Sequence, residues 1–464
     1  MSDARGREQR PANRRGRPGG GTPRGRKPAP KPRARPAPTD SRAVAFGVIR
    51  RVTEEGAFST LAMASALDRS HLEGRDRALA TELGYGTLRR LRSLDWALGP
   101  RVNRPLERVT PRALALLRLG AYQVLFTRIP PHAAVGETVA MAREGERGFV
   151  NAVLRSLAAT PPRWPAGGAP DAVAIRTGIA PWAVAELERV LPEDQLAPAA
   201  EALAAHAPLS IRTNTCRVES ERLLAAVREA GHRARHGAIH SDTLLVDEAS
   251  PSRLPGFRDG WFAIQDESSA FVVQALDPRP GDRVLDACAG PGGKATHAAC
   301  LVGDDGLLVA ADASPARAGL VAQLAGKLGV PVRVVTQDAR RPAVNAPFDR
   351  ILVDAPCSGI GAARRRPELL WRPARDDLSR LARLQVAIAS SAAALLKPGG
   401  RLVYSVCTFP RAETDAACRA ILRHRPELRP AEIEGPDGPA ERVRLWPHLH
   451  GTDAMFVAAF TSAG

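Results

Sequence analysis

The chain has 464 residues, 44% of them hydrophobic, and carries a formal net charge of +17 with an isoelectric point near 10.8. Such a length accommodates about three domains, and no apolar run approaches the ~18 residues of a membrane span. With no signal-peptide core at its start, the chain is expected to be cytoplasmic, free of membrane, and matched to a polyanionic partner, most simply nucleic acid.

Residues 1–40 carry twelve Lys and Arg against three acids, a net +9. Prolines aside, their only apolar side chains are Met1 and alanines. No core can offset the entropy of ordering such a segment, so a disordered basic tail is expected. It serves either as a solubilising extension or as a phosphate contact, and any such contact would be sequence-blind and salt-dependent.

From Ser41 to about Leu157 the text is helical. Ala43, Phe46, Val48 and Ile49 open an amphipathic pattern, Ala113-Leu-Ala-Leu-Leu continues it, and Pro130-Pro131 breaks it before it resumes at Ala133. Strand signals are absent, which predicts an all-α bundle over 41–160. Arg89, Arg90 and Arg92 read as a solvated face, with RNA phosphate contact as the sharper alternative.

Residues 158–170, rich in Pro and Gly, read as a linker. A helical stretch from Pro181 to about Ala205 follows, then a strand at Leu209, a helix over Ser220–Ala230, and strands at Leu244 and Gly260. The span 161–258 is thus a linker and a small α+β subdomain. Arg212 and Asn214 read as surface polar residues or as substrate contacts. Asp266 caps a helix that enters the next domain.

Residues 259–464 begin with Val284-Leu-Asp286, an apolar strand closed by an acid, and glycines then cluster at 290, 292 and 293. Strand, glycine turn and helix form the opening unit of a doubly wound, Rossmann-like α/β sheet. Glycine is wanted where a cofactor lies against the backbone. A second strand ends at Asp312, where an acid can accept the ribose hydroxyls of a nucleoside. Asp338 follows a third strand and Asp354 closes a fourth, so four strands deliver carboxylates to one edge. Each acid alone reads as a cap or turn residue; together they read as a site. The spacing lacks the G-x-G-x-x-G pattern of dinucleotide binding.

Four stretches, Asp286-Ala-Cys-Ala-Gly-Pro-Gly-Gly-Lys294, Asp354-Ala-Pro-Cys-Ser-Gly359, Arg364-Arg-Arg-Pro-Glu-Leu-Leu-Trp371 and Tyr404-Ser-Val-Cys-Thr408, resemble the RNA cytosine-C5 methyltransferases of the Sun/RsmB (Fmu) type. The helical module, around 112–129 and 148–157, resembles the antitermination factor NusB and is expected to assist RNA binding. The resemblance implies a multidomain fold: NusB-like bundle, small α+β subdomain, and C-terminal S-adenosylmethionine methyltransferase domain. It implies cofactor contacts at Cys288, Ala289, Gly290, Pro291, Gly292, Gly293, Lys294, Asp312, Asp338 and Asp354. It further implies that Cys407 is the nucleophile, Cys357 the partner in product release, and RNA, most simply ribosomal RNA, the substrate. Two departures stand out: Val406-Cys407-Thr408 replaces the usual Thr-Cys-Ser, and Glu413-Thr414 replaces Glu-Asn.

The chemistry explains these residue types. Cytosine carbon 5 is a weak nucleophile until a thiolate adds at carbon 6, with a proton delivered toward ring N3. Asp354 is the candidate for holding N3, as an acid kept protonated by burial. Cys357 and Cys407 both lie just past strand ends, and the residues alone do not tell which attacks. Arg364, Arg365 and Arg366 with Trp371 suit single-stranded RNA, by phosphate pairing and base stacking, or else form a solvated turn. The six cysteines lack metal-type pairs and suit a reduced chain better than a disulfide framework. His448 and His450 have no cluster of further ligands, so no metal is expected, and the chain is expected to act as a monomer. The competing readings are a methyltransferase with a non-RNA acceptor and a non-catalytic ribosome assembly factor.

Overall fold

In the computed structural model, residues 40–463 are described except 248, 345–346 and 373–374; the basic tail, Asp40 apart, lies outside the described residues. Asp40 itself caps the first helix, its carboxylate accepting from Arg42 N. The helical module comprises α1 (Ser41–Glu54), α2 (Ser59–Asp68), α3 (Gly74–Arg89), α4 (Leu91–Leu98), α5 (Pro111–Phe126), α6 (Pro131–Ala140) and α7 (Glu144–Ala159). Thr110 caps α5 and Pro111 occupies its first turn, where a missing N–H costs nothing. Its Leu116, Leu117 and Leu119 join Val44, Ile49, Leu83 and Leu154 in one core. Gly86 lets α3 approach α5: a Cβ there would lie 2.1 Å from the Tyr122 ring.

Helices α8 (Pro170–Thr177), α9 (Pro181–Val190) and α10 (Glu193–Leu203) follow. The expected single helical stretch is divided at Leu191-Pro192, and α8 begins where a linker is read from the sequence. Their apolar faces pack on Ile360, Leu370, Phe409 and Trp446 of the C-terminal domain. The small domain then runs β1 (Leu209–Thr213), α11 (Ser220–Glu229), β2 (Ala234–His236), β3 (Thr243–Val246) and β4 (Phe262–Ile264). Its antiparallel sheet has the order β2-β3-β1-β4.

The C-terminal domain contains α12 (Glu267–Leu276), β5 (Arg283–Asp286), α13 (Gly293–Val302), β6 (Leu307–Asp312), α14 (Pro315–Leu328), β7 (Arg333–Thr336), β8 (Phe348–Asp354), α15 (Arg375–Ala393), β9 (Leu396–Val406) and α16 (Asp415–His424). It closes with β10 (Leu428–Ala431), β11 (Ile433–Gly435), β12 (Gly438–Ala440), β13 (Arg442–Leu445), the short α17 (Pro447–His450) and β14 (Met455–Ser462). The main sheet runs β10-β14-β9-β8-β5-β6-β7, with β13 also on β14. Strands β5 to β9 are mutually parallel, and β14 is antiparallel to β9.

Alternation along the strands explains the two helical layers. Val284, Leu308 and Leu352 face α12, α13 and α14, while their neighbours Leu285, Val309 and Ile351 face α15 and α16. The Pro398-Gly-Gly stretch forms a bulge within β9. Phe348 pairs with Leu396 and Arg350 with Arg401, so extra β9 residues loop out with Gly399 at φ +73°.

Candidate active site and its relatives

The parallel strands place Asp286, Asp312, Asp354 and the stretch before Asp338 along one carboxyl edge. Between β5 and α13 the loop folds tightly: Ala289 N donates to Ala311 O at 2.8 Å, and Gly292 N to Ala289 O at 2.7 Å. Gly292 adopts φ +112°, and a Cβ on Gly290 would sit 2.6 Å from Asp312 Oδ2. That carboxylate is already engaged, accepting from Gly290 N at 3.0 Å and pairing with Arg317 Nε at 3.3 Å. Asp286 is buried with Oδ2 unpartnered, and burial, then Asp354, push it up to about 7. Burial also pushes the Cys288 thiol up. Asp338 stands apart, half-buried and forked by Arg340 at 2.6–3.0 Å.

Toward the middle of the sheet, Lys294 Nζ lies 2.7 Å from Asp354 Oδ2 and 3.4 Å from Ser269 Oγ. Burial opposes the ammonium, but Asp354 more than offsets it and the lysine pKa is raised. Ser405 Oγ donates to Asp354 Oδ1 at 2.8 Å. Both oxygens of Asp354 are thus engaged by neighbouring side chains.

Cys357 and Cys407 meet with sulfurs 3.5 Å apart. Parallel pairing of β8 with β9 brings this about, since each cysteine follows the end of one strand. The two thiols are not equivalent. The thiol contact, burial and Glu413 raise Cys357. The hydrogen bond from Cys357 lowers Cys407 against burial and Asp354, and Lys294 assists.

Several sequence expectations are corrected here. Arg364 donates to Gly451 O and Thr452 O, and Arg365 pairs with Asp266 at 2.6 Å and Asp453 at 3.2 Å. Arg366 lies against Glu368 and over Phe58, and Trp371 Nε1 donates to Leu88 O at 3.0 Å. Arg364 and Arg365 thus tie this loop to the C-terminal domain, while Arg366 and Trp371 fasten the helical module to it. Arg89 and Arg90 form the other side of that seam, donating to Arg364 O and Arg176 O, whereas Arg92 is exposed. Arg212 and Asn214 are buried, not superficial. Arg212 Nε meets Gln265 Oε1 at 2.7 Å, and Asn214 Nδ2 reaches Gly260 O and Leu328 O.

Cys216 and Cys300 form a disulfide between the loop after β1 and α13, contrary to the expectation of free thiols throughout. Their separation of 84 residues hides the pairing from any local reading. His450 Nδ1 accepts from Trp446 N, and His448 lies 3.3 Å from Gln195, so both serve the short turn α17. Among the described residues no group of His, Cys, Asp or Glu is arranged to hold a metal, and no helix is long and apolar enough to cross a membrane. Ser269, Arg317 and Asp453 are site neighbours that the sequence reading passes over. Asp453 is buried near Cys407, and burial, then Asp266, push it up to about 7. Nothing local in sequence marks these three, because their partners come from other elements.

Residues 273–461 match the family described as 16S rRNA methyltransferase RsmB/F, residues 39–159 the NusB family, and residues 180–253 the RsmF/B-like ferredoxin-like domain. A putative methyltransferase of Mycobacterium tuberculosis is 40% identical over 468 residues, covering 92% of this chain and 97% of its own length. The probable ribosomal RNA small subunit methyltransferase B of Bacillus subtilis is 34% identical, covering 92% of this chain and 99% of its own. The crystal structure of protein PH0851 shares the fold with a TM-score of 0.79 at 23% identity, over 92% of this chain and all of that one. A NusB domain, a ferredoxin-like domain and a methyltransferase domain thus succeed one another as the elements do, and the chain belongs to the RsmB/F family of 16S rRNA methyltransferases.

Proposed function

We propose that this methyltransferase acts on carbon 5 of a cytosine in small-subunit ribosomal RNA, through a covalent bond between Cys407 and the base. The observation that carries the reading is the pair of sulfurs 3.5 Å apart beside the Lys294–Asp354 ion pair. The glycine loop fits S-adenosylmethionine: backbone is bare at Gly290, Gly292 and Gly293, and Asp286 keeps a buried oxygen unpartnered. Asp312 is the ribose acceptor in this reading, and Asp338 a further contact at the cofactor's outer end. When bound, the cofactor supplies an electrophilic methyl group.

The chain's own residues prepare the base. Cys407 is the better thiolate of the pair and adds to carbon 6. The Lys294 ammonium supplies, through its partner Asp354, the proton that N3 takes up, leaving an electron-rich carbon 5 to accept the methyl. Cys357, as a thiolate, then removes the carbon-5 proton, the electron pair re-forms the 5,6 double bond, the Cys407 sulfur leaves, and N3 returns its proton to Lys294. A base must leave its stack to reach such a site.

The test separates the cysteines. Cys407→Ala should abolish both methyl transfer and any adduct. Cys357→Ala should attack and then stall, leaving a protein–RNA adduct that survives denaturing electrophoresis. An adduct with Cys407→Ala and none with Cys357→Ala reverses the assignment. RNA bound normally, with no adduct from either variant, counts against covalent catalysis.

A further inference from the structure

Beneath the two cysteines lies a buried polar cluster that the proposed chemistry does not use. Glu413 is fully buried in the turn after the Cys407 segment. Its Oε1 accepts from Ser358 N at 2.9 Å and Gln385 Nε2 at 2.8 Å. Its Oε2 accepts from Ser358 Oγ at 2.6 Å and, more weakly, Thr408 Oγ1 at 3.5 Å. Ser358 and Thr408 also bond each other at 2.7 Å. Ser358 directly follows Cys357, and Thr408 directly follows Cys407. Gln385, from α15, reaches Pro356 O on the other side of Cys357 at 3.0 Å.

A buried carboxylate is expensive unless it is paired or well hydrogen-bonded. Among the described residues no Lys or Arg forms an ion pair with Glu413, and burial raises its pKa against the donors around it. An amide or an apolar side chain would fill the same space without that desolvation cost. Cost borne next to reactive groups is a pointer to function, since functional sites are where local rules are broken.

We propose that Glu413 is a positioning residue: it locks the Cys357 loop onto the Cys407 strand end and keeps the two thiols unequal in reactivity. Two lines of geometry support this. The carboxylate bridges both cysteine segments, so the sulfur–sulfur spacing depends on it. Its negative charge also bears on Cys357, whereas Lys294 bears on Cys407. The role rests on the two-cysteine reading above, but its first test does not.

That test is alkylation of the full-length, reduced protein with iodoacetamide near pH 8, read site by site by mass spectrometry. The wild-type protein should react at Cys407 in preference to Cys357. In Glu413→Gln that preference should be lost, with melting temperature and RNA affinity retained. The second readout is turnover. Displacing a reacting group by about an ångström costs roughly 100-fold, so kcat should fall by about that factor with KM for RNA unchanged, and the adduct expected of Cys357→Ala should accumulate. Unchanged thiol preference in a folded Glu413→Gln protein overturns the proposal, whatever happens to turnover. If Cys407→Ala still methylates, the covalent reading fails, and the alkylation pattern still decides the role of Glu413. Should Glu413→Gln fold poorly, Ser358→Ala with Thr408→Val removes the hydroxyl links between the two cysteine segments and the carboxylate, leaving those from Ser358 N and Gln385. It must then loosen the same preference, or the proposal fails.

Discussion

At the scale of single residues, the site works by giving like groups unlike surroundings. Cys357 and Cys407 share one contact, yet Glu413 sits behind one and Lys294 beside the other. Carboxylates differ in the same way. Asp354 has an ammonium partner, Asp286 has an unpartnered buried oxygen, and Asp338 is solvated against Arg340. Asp312 accepts from Gly290 N and Ser314 N and pairs with Arg317. Losing a charge-assisted acceptor costs about 1–3 kcal/mol, so Asp312→Ala should weaken S-adenosylmethionine binding by that amount in a calorimetric titration. Because Asp312 also holds Gly290 N, a melting curve must accompany the measurement. Unchanged affinity in a folded variant removes Asp312 from the cofactor site.

At the scale of elements, Arg89 at the end of α3 and the run after Cys357 turn out to be one structure. Arg89 reaches Arg364 O, Trp371 reaches Leu88 O, and Arg372 reaches Ala57 O at 2.9 Å. Glu368 is buried and accepts from Ser59 N, which anchors the start of α2 as well. The helical module is therefore held by the same loop that follows a proposed catalytic cysteine. Trp371→Ala should remove about 2–4 kcal/mol of that attachment, the scale of losing a large packed aromatic. The expected outcome is early release of the 41–160 module under limited proteolysis, with the catalytic domain's own core intact. A proteolysis pattern identical to that of the wild type would show that the seam does not depend on Trp371.

At the scale of the whole molecule, the net charge of +17 is unevenly distributed along the chain. More than half of it belongs to residues 1–39, which hold twelve Lys and Arg and two acids. Phosphate contacts position a protein without specifying sequence. Deleting 1–39, and keeping Asp40 for its cap on α1, should flatten the dependence of RNA affinity on salt while the methylated nucleotide stays the same. The slope of log affinity against log salt measures the first, and mapping of the modified site the second. Methylation of a different nucleotide would contradict a purely electrostatic tail.

What the residues determined unaided was local. The apolar strands β5, β6 and β8 closed by acids, the glycine cluster before α13, the Asp266 cap and the helical periodicity of α1 to α7 are all short-range patterns, and each is found where it is expected. The motifs around Cys288, Cys357 and Cys407 pointed to the family for the same reason. What only the tertiary structure decided was pairing across distance. Arg212 and Asn214 look like surface residues until the small sheet is docked on α13 and α14. Arg364 to Arg366 look free until Asp266, Asp453 and the helical module arrive from 88 to 275 residues away. The Cys216–Cys300 disulfide spans 84 residues, and Glu413 meets Ser358 across 55. A charged side chain has the same sequence appearance whether it meets water, phosphate or a buried partner, and burial, which no local pattern encodes, chooses among them.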